Sequence, residues 1–180
     1  YIAANCNKRS VMLDLKEPRD RERACALLRH CDVFVENFRA GVVERLGFGY
    51  EEVRRIRPDI IYCSLNGWGK SGPMAHETAS DPVLQAFSGW ASINGTPNGP
   101  GQIYRHIALL DLGAAAYGAL AILAAILHRR RTGQGQYLEA SMLGAALSVQ
   151  TTRLAEYFAT GQQRPNQGSA SRTTNTGCSW

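Results

Sequence analysis

Residues 32–65 read DVFVENFRAGVVERLGFGYEEVRRIRPDIIYCSL, and in them short β-type runs alternate with amphipathic helical runs. The runs at 32–36 (DVFVE) and 59–65 (DIIYCSL) are rich in branched and aromatic residues, which predicts strands. The runs at 42–46 and 50–56 predict two short helices between these strands. Because strands joined through helices pair in parallel by right-handed crossovers, this segment indicates an α/β fold.

The same alternation extends towards the N-terminus. Residues 10–15 (SVMLDL) predict a further strand of the same sheet. Residues 18–30 predict a helix that has a proline near its start and carries Ala24, Leu27 and Leu28 on one face.

The second half of the chain is largely helical. Its predicted elements are helices at 82–93, 111–131 and 142–159 and a short strand near 136–139. Residues 66–78 (NGWGKSGPMAHET) form a loop that leaves a strand, and residues 94–102 form a flexible connector. Ligands bind at the carboxyl ends of the strands in parallel sheets. The expected fold is therefore a Rossmann-like parallel sheet with flanking helices and a ligand site near the 66–78 loop.

Composition narrows the class of protein. The chain has 180 residues, which suit one domain with a substantial core, and a formal net charge of +5. Such an excess suits nucleic acid, an anionic membrane or a phosphorylated small molecule. Nucleic acid is the weakest of the three, because no basic stripe with interleaved aromatics and no helix-turn-helix pattern is visible. The polar, Gly/Ser/Thr-rich segment 161–180 is expected to be mobile.

The cysteines indicate a reducing compartment. There are five of them, at Cys6, Cys25, Cys31, Cys63 and Cys178, with no CxxC spacing. An odd number without paired short spacing predicts free thiols in the cytoplasm rather than a disulfide framework or a zinc site. Cys63 lies in an apolar run and is expected to be a core residue. No metal ligand spacing is present.

Residues 107–128 (IALLDLGAAAYGALAILAAILH) are largely apolar, and Asp111 is the only acidic residue among them. The run is long enough to raise the question of a membrane span. Its alanine content, its glycines and Asp111 instead predict a buried helix of an α/β protein, with no membrane. Asp111 could cap this helix or act as a reactive group. The two roles are compatible, because amides that cap a carboxylate also hold it ionised.

The isolated histidines and the turn at 129–136 are predicted to be structural rather than catalytic. His76 and His106 are isolated histidines, which are more often structural or solvated than catalytic. The turn RRRTGQGQ (129–136) contains Gly133 and Gly135, which are expected to supply unusual backbone angles at a reversal from helix to strand. A phosphate cradle is not indicated there, because the strand–glycine–helix order is missing.

Three segments around Asp111 carry a family resemblance: ENFRAGVVERLG (36–47), YCSLNGWGKSGP (62–73) and HRRRTGQGQYLEASML (128–143). In this order they resemble the family III CoA-transferases. Residues 1–160 are then identified as part of a Rossmann-like CoA-binding and catalytic domain. Residues 161–180 would begin a linker towards a further C-terminal part, and the match would cover the middle of a full-length member.

The resemblance implies a role for individual residues. Asp111 would be the catalytic nucleophile. The residues that would bind coenzyme A are Leu13, Asp14, Leu15 and Lys16 beside the nucleotide, Asn37, Phe38 and Arg39 in contact with CoA, Arg45 along the phosphates, and Thr78, Ala79, Ser80 and Asp81 beside the acyl and pantetheine moieties. The residue types at 37–39 agree with this role, because a guanidinium group can bind phosphate through two hydrogen bonds and an aromatic ring can stack near adenine.

The resemblance also implies a reaction. CoA would move from an acyl-CoA to a carboxylic acid acceptor through an aspartyl anhydride and an aspartyl-CoA thioester, without a metal. The full-length protein would be an interlocked homodimer, binding neither nucleic acid nor membrane.

Two alternatives stay open. Related methylacyl-CoA racemases carry a histidine where this chain has Ser80, and an unperturbed serine cannot remove an α-proton at neutral pH. That favours the transferase over a racemase or isomerase. The other alternative is a truncated fragment that binds CoA without catalysis.

Overall fold

The computed structural model describes residues 5–166 and 168. Within that part of the chain, three strands form one parallel sheet in the order β1 (Val33–Glu36), β2 (Ile61–Asn66), β3 (Gln136–Ser141). The register aligns Val33 with Ile61, and Ile61 with Gln136. The predicted α/β fold with a parallel sheet is confirmed.

The helices connect these strands. They are α1 (Pro18–Leu28), α2 (Val42–Arg45), α3 (Tyr50–Ile56), α4 (Asp81–Phe87), α5 (Leu109–Thr132), α6 (Met142–Val149) and α7 (Thr151–Thr160), with a 3₁₀ turn at Trp90–Ile93. The first crossover, from β1 to β2, runs through α2 and α3. The second, from β2 to β3, runs through α4, the 3₁₀ turn and α5.

One face of the sheet is aromatic. Phe34, Tyr62 and Tyr137 are register neighbours, with ring centroids 5.0 Å apart for the first two and 5.6 Å apart for the last two. Leu28 of α1 and Val53 of α3 are buried against this face. Removing these apolar surfaces from water is the main stabilisation of this half of the fold.

The opposite face of the sheet is covered by α5. At Gly118 the helix comes so close that an added Cβ would lie 2.8 Å from Cδ2 of Leu65 and 3.7 Å from Sγ of Cys63. Cys63 is fully buried there, which confirms its predicted place in the core. Helices therefore flank both faces of the sheet, as the alternating pattern predicted.

The outer side of α5 remains uncovered in the described part of the chain. Leu112, Leu120, Leu123 and Leu127 are each about 60% exposed along this side. The prediction of a buried helix is therefore correct for one side only, because α5 contacts the sheet and α6 along a single stripe. By length and composition alone, Leu109–Thr132 could cross a membrane.

The predicted strand at 10–15 is wrong. The structure shows non-helical, unpaired backbone there, with Val11 63% and Met12 96% exposed. A strand requires a hydrogen-bonded neighbour, and β1 pairs only with β2 among the described residues. Leu27 also departs from the prediction, because it is half exposed while Leu28, one position on, enters the core.

Two predicted helices are interrupted. The helix expected at 82–93 ends at Phe87, because Gly89 adopts φ +79° and the chain continues as a 3₁₀ turn. The helix expected at 142–159 breaks at buried Gln150, whose Nε2 donates to the carbonyls of Ala146 (2.9 Å) and Ser88 (3.3 Å). The bond to Ser88 joins the break to the end of α4.

The reversal after α5 uses its two glycines differently. Gly133 adopts φ +74° and ends the helix, as predicted. Gly135 has no positive φ, so the prediction of an unusual angle there is wrong. Its requirement is space, because an added Cβ would collide with the carbonyl oxygen of Ile60 and the carbonyl carbon of Asp59.

This difference predicts unequal costs for two neighbouring alanines. Gly135→Ala is expected to lower the free energy of unfolding by about 2–3 kcal/mol, because backbone atoms must move. Gly133→Ala, with nothing within 4 Å, is expected to lower it by only about 1 kcal/mol through its left-handed angle. Chemical denaturation of both variants checks this, and equal losses would contradict the close approach at Gly135.

The remaining expectations concern the cysteines and the C-terminal segment. Cys25, Cys31 and Cys63 carry free thiols, and Cys178 lies outside the described residues. Of the segment 161–180, only residues 161–166 and 168 are described, and Asn166 O accepts from Asn98 N at 2.9 Å. The beginning of this segment thus contacts the 94–102 connector. The division at residue 160 stays a prediction.

Candidate functional site

A cleft of about 660 Å³ opens at the carboxyl edge of the sheet. Its walls are the turn after β1, the loop after β2, and the beginnings of α4, α5 and α6. The residues that line it include Asn37, Phe38, Arg39, Ser64, Trp68, Lys70, Thr78, Ala79, Ser80, Asp81, Tyr104, Arg105 and Asp111. The predicted position of a ligand site, beside the 66–78 loop, thus coincides with a cavity.

The turn after β1 is held by a buried carboxylate, Glu36, which is 4% exposed. Its Oε2 accepts from the backbone N of Phe38 at 2.9 Å, and its Oε1 accepts a short bond from Oγ of Ser64. Nζ of Lys70 lies 3.7 Å from the same Oε1 and 3.2 Å from Oε1 of Glu44. Glu36 therefore connects the ends of β1 and β2 with the turn after β1 and the loop after β2.

Lys70 also fixes the loop after β2. Its backbone N donates to Oε1 of Glu139 at 2.6 Å, and its Nζ lies 5.3 Å from the ring centroid of Tyr137. Asn66 donates to the same Glu139 oxygen at 3.1 Å. A cation over an aromatic face, with carboxylates on its other sides, has a restricted position. This side chain is thus a structural cation of the cleft wall.

The first turn of α5 is capped by Asp81, not by Asp111. The helix begins at Leu109, and its N-cap residue Ala108 provides no side-chain bond. Oδ2 of Asp81 accepts from the backbone N of Leu110 at 2.6 Å and of Asp111 at 3.1 Å. The predicted capping role of Asp111 is wrong, because Asp111 is already inside the first turn and a carboxylate from α4 satisfies the free amides.

Asp81 is itself held in place. It is 5% exposed, and its Oδ1 accepts from Nε2 of Gln85, one helical turn further along α4. Fully buried Gln85 also exchanges two hydrogen bonds with the backbone of Tyr104, at 2.8 and 2.9 Å. The chain that leads into α5 is therefore anchored to α4 at two points.

The Asp111 carboxyl has an altered acidity. Asp111 is exposed to the cleft, but partial burial of its carboxyl, and secondly the negative charge of Asp81, raise the pKa of Asp111 above its ordinary value. The expectation that capping amides would hold Asp111 ionised is therefore wrong, since those amides bond to Asp81. A carboxylate with a raised pKa is more basic and more nucleophilic than an ordinary aspartate.

The structure brings together most of the predicted site residues. Those that line the cleft with Asp111 are Asn37, Phe38, Arg39, Thr78, Ala79, Ser80 and Asp81. Phe38 is 45% exposed, so its ring is available to a ligand. The structure therefore places the turn after β1 and the start of α4 on walls of the same cavity as the Asp111 carboxylate.

The other predicted binding residues lie away from the cleft wall. Lys16 and Asp14 are part of the turn that precedes α1, where Lys16 N donates to Oδ1 of Asp14 at 3.0 Å. Leu13 precedes them, and Leu15 packs against the core beside α1. Arg45 is exposed on α2, with its guanidinium near Gly41.

The sequence alone did not assign several residues of the wall. Trp68 and Lys70 belong to the loop that was expected to border a ligand, so their positions could have been anticipated from the strand end. Glu36 is the last residue of β1, and its burial was not visible in a pattern of alternating residues. Tyr104 and Arg105 come from a segment that carried no recognisable signal.

The two isolated histidines lie outside the cleft. His76 and His106 are exposed and are absent from the wall of the cleft. Residues 5–166 and 168 contain no group of three or more His, Cys, Asp or Glu side chains arranged to hold a metal ion.

A parallel sheet with helices on both faces and a carboxylate-bearing cleft at its carboxyl edge defines an α/β protein with a ligand site at the strand ends. The chain belongs to CoA-transferase family III, whose sequence profile matches residues 1–178.

Individual relatives agree with this membership. A mouse succinyl-CoA:glutarate CoA-transferase is 34% identical over 170 residues, and an Acetobacter aceti acetyl-CoA:oxalate CoA-transferase is 39% identical over 162 residues. These alignments cover 94% and 90% of this chain but 39% and 42% of the relatives. The chain thus spans about two fifths of their length.

Solved structures show the same fold. A crystal structure of a CAIB/BAIF family protein from Brucella suis superposes with a TM-score of 0.86 at 31% identity. The superposition covers 91% of this chain and 43% of that one.

Proposed function

We propose that the protein containing this chain transfers coenzyme A from an acyl-CoA thioester to a carboxylic acid, with Asp111 as the nucleophile. The observation that carries the proposal is the position of Asp111, whose carboxyl shares a cleft of about 660 Å³ with Asn37, Phe38 and Arg39. The relatives from mouse and A. aceti, which are named as CoA-transferases, support it.

In the first half of the reaction, a carboxylate oxygen of Asp111 attacks the carbonyl carbon of the donor thioester. A C–O bond forms, the C–S bond breaks, and the sulfur leaves as a thiolate with the electron pair. The thiolate then attacks the Asp111 carbonyl carbon of the mixed anhydride. The products are an aspartyl-CoA thioester and the donor's free carboxylate.

The second half runs in the opposite sense. The acceptor carboxylate attacks the aspartyl thioester, which releases CoA thiolate and forms a new anhydride. The thiolate attacks the acceptor's carbonyl carbon, so that acyl-CoA leaves and the Asp111 carboxylate is restored. An activated acyl bond persists throughout, so the reaction needs neither ATP nor a metal.

Two groups of residues would divide the binding of CoA. Asn37, Phe38 and Arg39 line the cleft and would contact CoA away from the reacting atoms. Thr78 and Ser80, which line the cleft just before α4, would lie beside the acyl and pantetheine moieties. Binding energy gained away from the reacting atoms keeps the thioester within reach of Asp111.

The nucleotide of CoA would lie outside this cleft. Leu13, Asp14, Leu15, Lys16 and Arg45 are the residues proposed for it. Lys16 and Arg45 are exposed and positively charged, which suits the phosphates.

Location and assembly also belong to the proposal. Free thiols at Cys25, Cys31 and Cys63 support a cytoplasmic protein. An interlocked homodimer is proposed for the complete protein, together with the absence of nucleic-acid and membrane partners.

The test is an exchange assay with the complete protein. It is incubated with a panel of acyl-CoA thioesters and isotopically labelled carboxylic acids in deuterated water. We expect labelled acid to appear as its CoA thioester, with no deuterium at the α-carbon. Deuterium uptake at the α-carbon without CoA exchange would replace the transferase by a racemase.

A further inference from the structure

Asp81 of α4 is hydrogen-bonded to the first turn of α5, beside Asp111, and this contact has no role in the proposed function. One oxygen of Asp81 accepts from the backbone amides of Leu110 and Asp111, at 2.6 and 3.1 Å. The partners are 29 and 30 residues apart in sequence and belong to two helices. Hydrogen bonds from amides to a charged, buried oxygen are stronger than neutral ones. The backbone of Asp111 is therefore fixed from α4.

The other oxygen of Asp81 is fixed as well. It accepts from Gln85, and Gln85 holds the backbone of Tyr104 in both directions. Both Asp81 oxygens thus have protein partners before any substrate binds. A carboxylate in this state is poorly placed to contact CoA through its side chain and well placed to orient a neighbour.

We propose that Asp81 is a positioning residue for the nucleophile: its carboxylate fixes the first turn of α5 and places a negative charge beside Asp111. This inference rests on the proposed function, because it assigns a role relative to a reacting carboxylate. Catalytic groups must be held to within a fraction of an ångström, and the two amide bonds provide that restraint.

The charge of Asp81 also affects the chemistry at Asp111. It is the neighbouring charge that raises the pKa of Asp111, after the larger effect of burial. The other charged or titratable groups on the cleft walls are Arg39, Lys70, Glu77, Tyr104 and Arg105. Helix α6, which packs against α5, has no titratable residue, and Cys63 of β2 lies beneath Gly118, further along α5.

Two substitutions in the complete protein separate orientation from charge. Asp81→Asn gives up the bond from Nε2 of Gln85, which its NH2 group cannot accept, but it keeps an oxygen that can accept from the two amides while it removes the negative charge. Asp81→Ala removes both. Val83→Thr, on the exposed side of α4, is the matched control. Thermal melts and circular dichroism establish that each variant is folded.

The expected results differ between the variants. With Asp81→Asn, the pKa of Asp111 falls, so the acid limb of kcat/KM for the donor moves to lower pH, while most of the activity at neutral pH remains. With Asp81→Ala, kcat falls by about 100-fold because the nucleophile is misplaced. Val83→Thr leaves both the pH profile and kcat unchanged.

Three outcomes would overturn the inference. An unmoved acid limb in folded Asp81→Asn, with wild-type exchange intact, would overturn it alone. A raised KM for acyl-CoA with unchanged kcat in Asp81→Ala would make Asp81 a CoA-binding residue instead. A wild-type protein that exchanges no CoA would overturn the proposed function and the positioning role together.

Discussion

Asp111→Ala is expected to reduce CoA exchange by at least about 1,000-fold, because the transfer has no nucleophile without this carboxylate. Asp111→Asn is expected to lose as much, although it keeps the shape and volume of the side chain. The substitution replaces the carboxylate by a neutral amide, which has no anionic oxygen to attack the thioester. Initial rates of CoA exchange between an acyl-CoA and a labelled acid measure both losses.

Binding of CoA is the control for this prediction. Asp111 lies at one wall of the cleft, whereas Asn37, Phe38 and Arg39 lie at another. Both variants should therefore bind CoA with nearly unchanged affinity in a calorimetric titration. Full activity in Asp111→Asn would contradict the nucleophilic role. A loss of CoA binding that accounts for the whole loss of rate would make Asp111 a binding residue.

Glu36→Ala is expected to lower the free energy of unfolding by about 4 kcal/mol, because it leaves buried groups without partners. Oγ of Ser64 and the backbone N of Phe38 both lose their acceptor, and Lys70 loses one of its two carboxylates. The same change loosens the turn that presents Phe38, so KM for acyl-CoA should rise. Denaturant unfolding and steady-state kinetics measure the two effects.

Glu44→Ala is the matched control for the Glu36 prediction. Glu44 pairs with the same ammonium group of Lys70, but its side chain is 46% exposed. An exposed ion pair contributes about 0–1 kcal/mol, so Glu44→Ala should cost little. If the two alanine variants were equally stable, the buried Glu36 cluster would not be what holds the turn.

The parallel sheet could be predicted because its signals are local. Residues 32–36 and 59–65 have strand composition, helical runs lie between them, and the order imposes parallel pairing. The failure at 10–15 has the opposite cause. Its composition suits a strand equally well, but a strand exists only where another strand offers hydrogen bonds, and composition carries no information about that neighbour.

The site shows the same division between local and distant information. Asp111 stood out as a single acid in an apolar run, a pattern that left a cap and a reactive group both open, and its role as nucleophile followed from the resemblance to the CoA-transferases. Its helix cap could not be predicted, since Asp81 lies 30 residues earlier in sequence. The break at Gln150 also depends on a distant contact, with the carbonyl of Ser88. Such pairs arise from packing of α4 against α5 and α6, which no local pattern specifies.

The most direct measurement is to locate the covalent intermediate. The complete protein is mixed with an acyl-CoA donor, treated with hydroxylamine or borohydride, and digested for peptide mass spectrometry. We predict a modified Asp111 in the peptide that contains the start of α5, and an unmodified peptide when CoA alone is added. An active wild-type protein without modification at Asp111, or with modification at another carboxylate, would contradict the role of Asp111 as nucleophile.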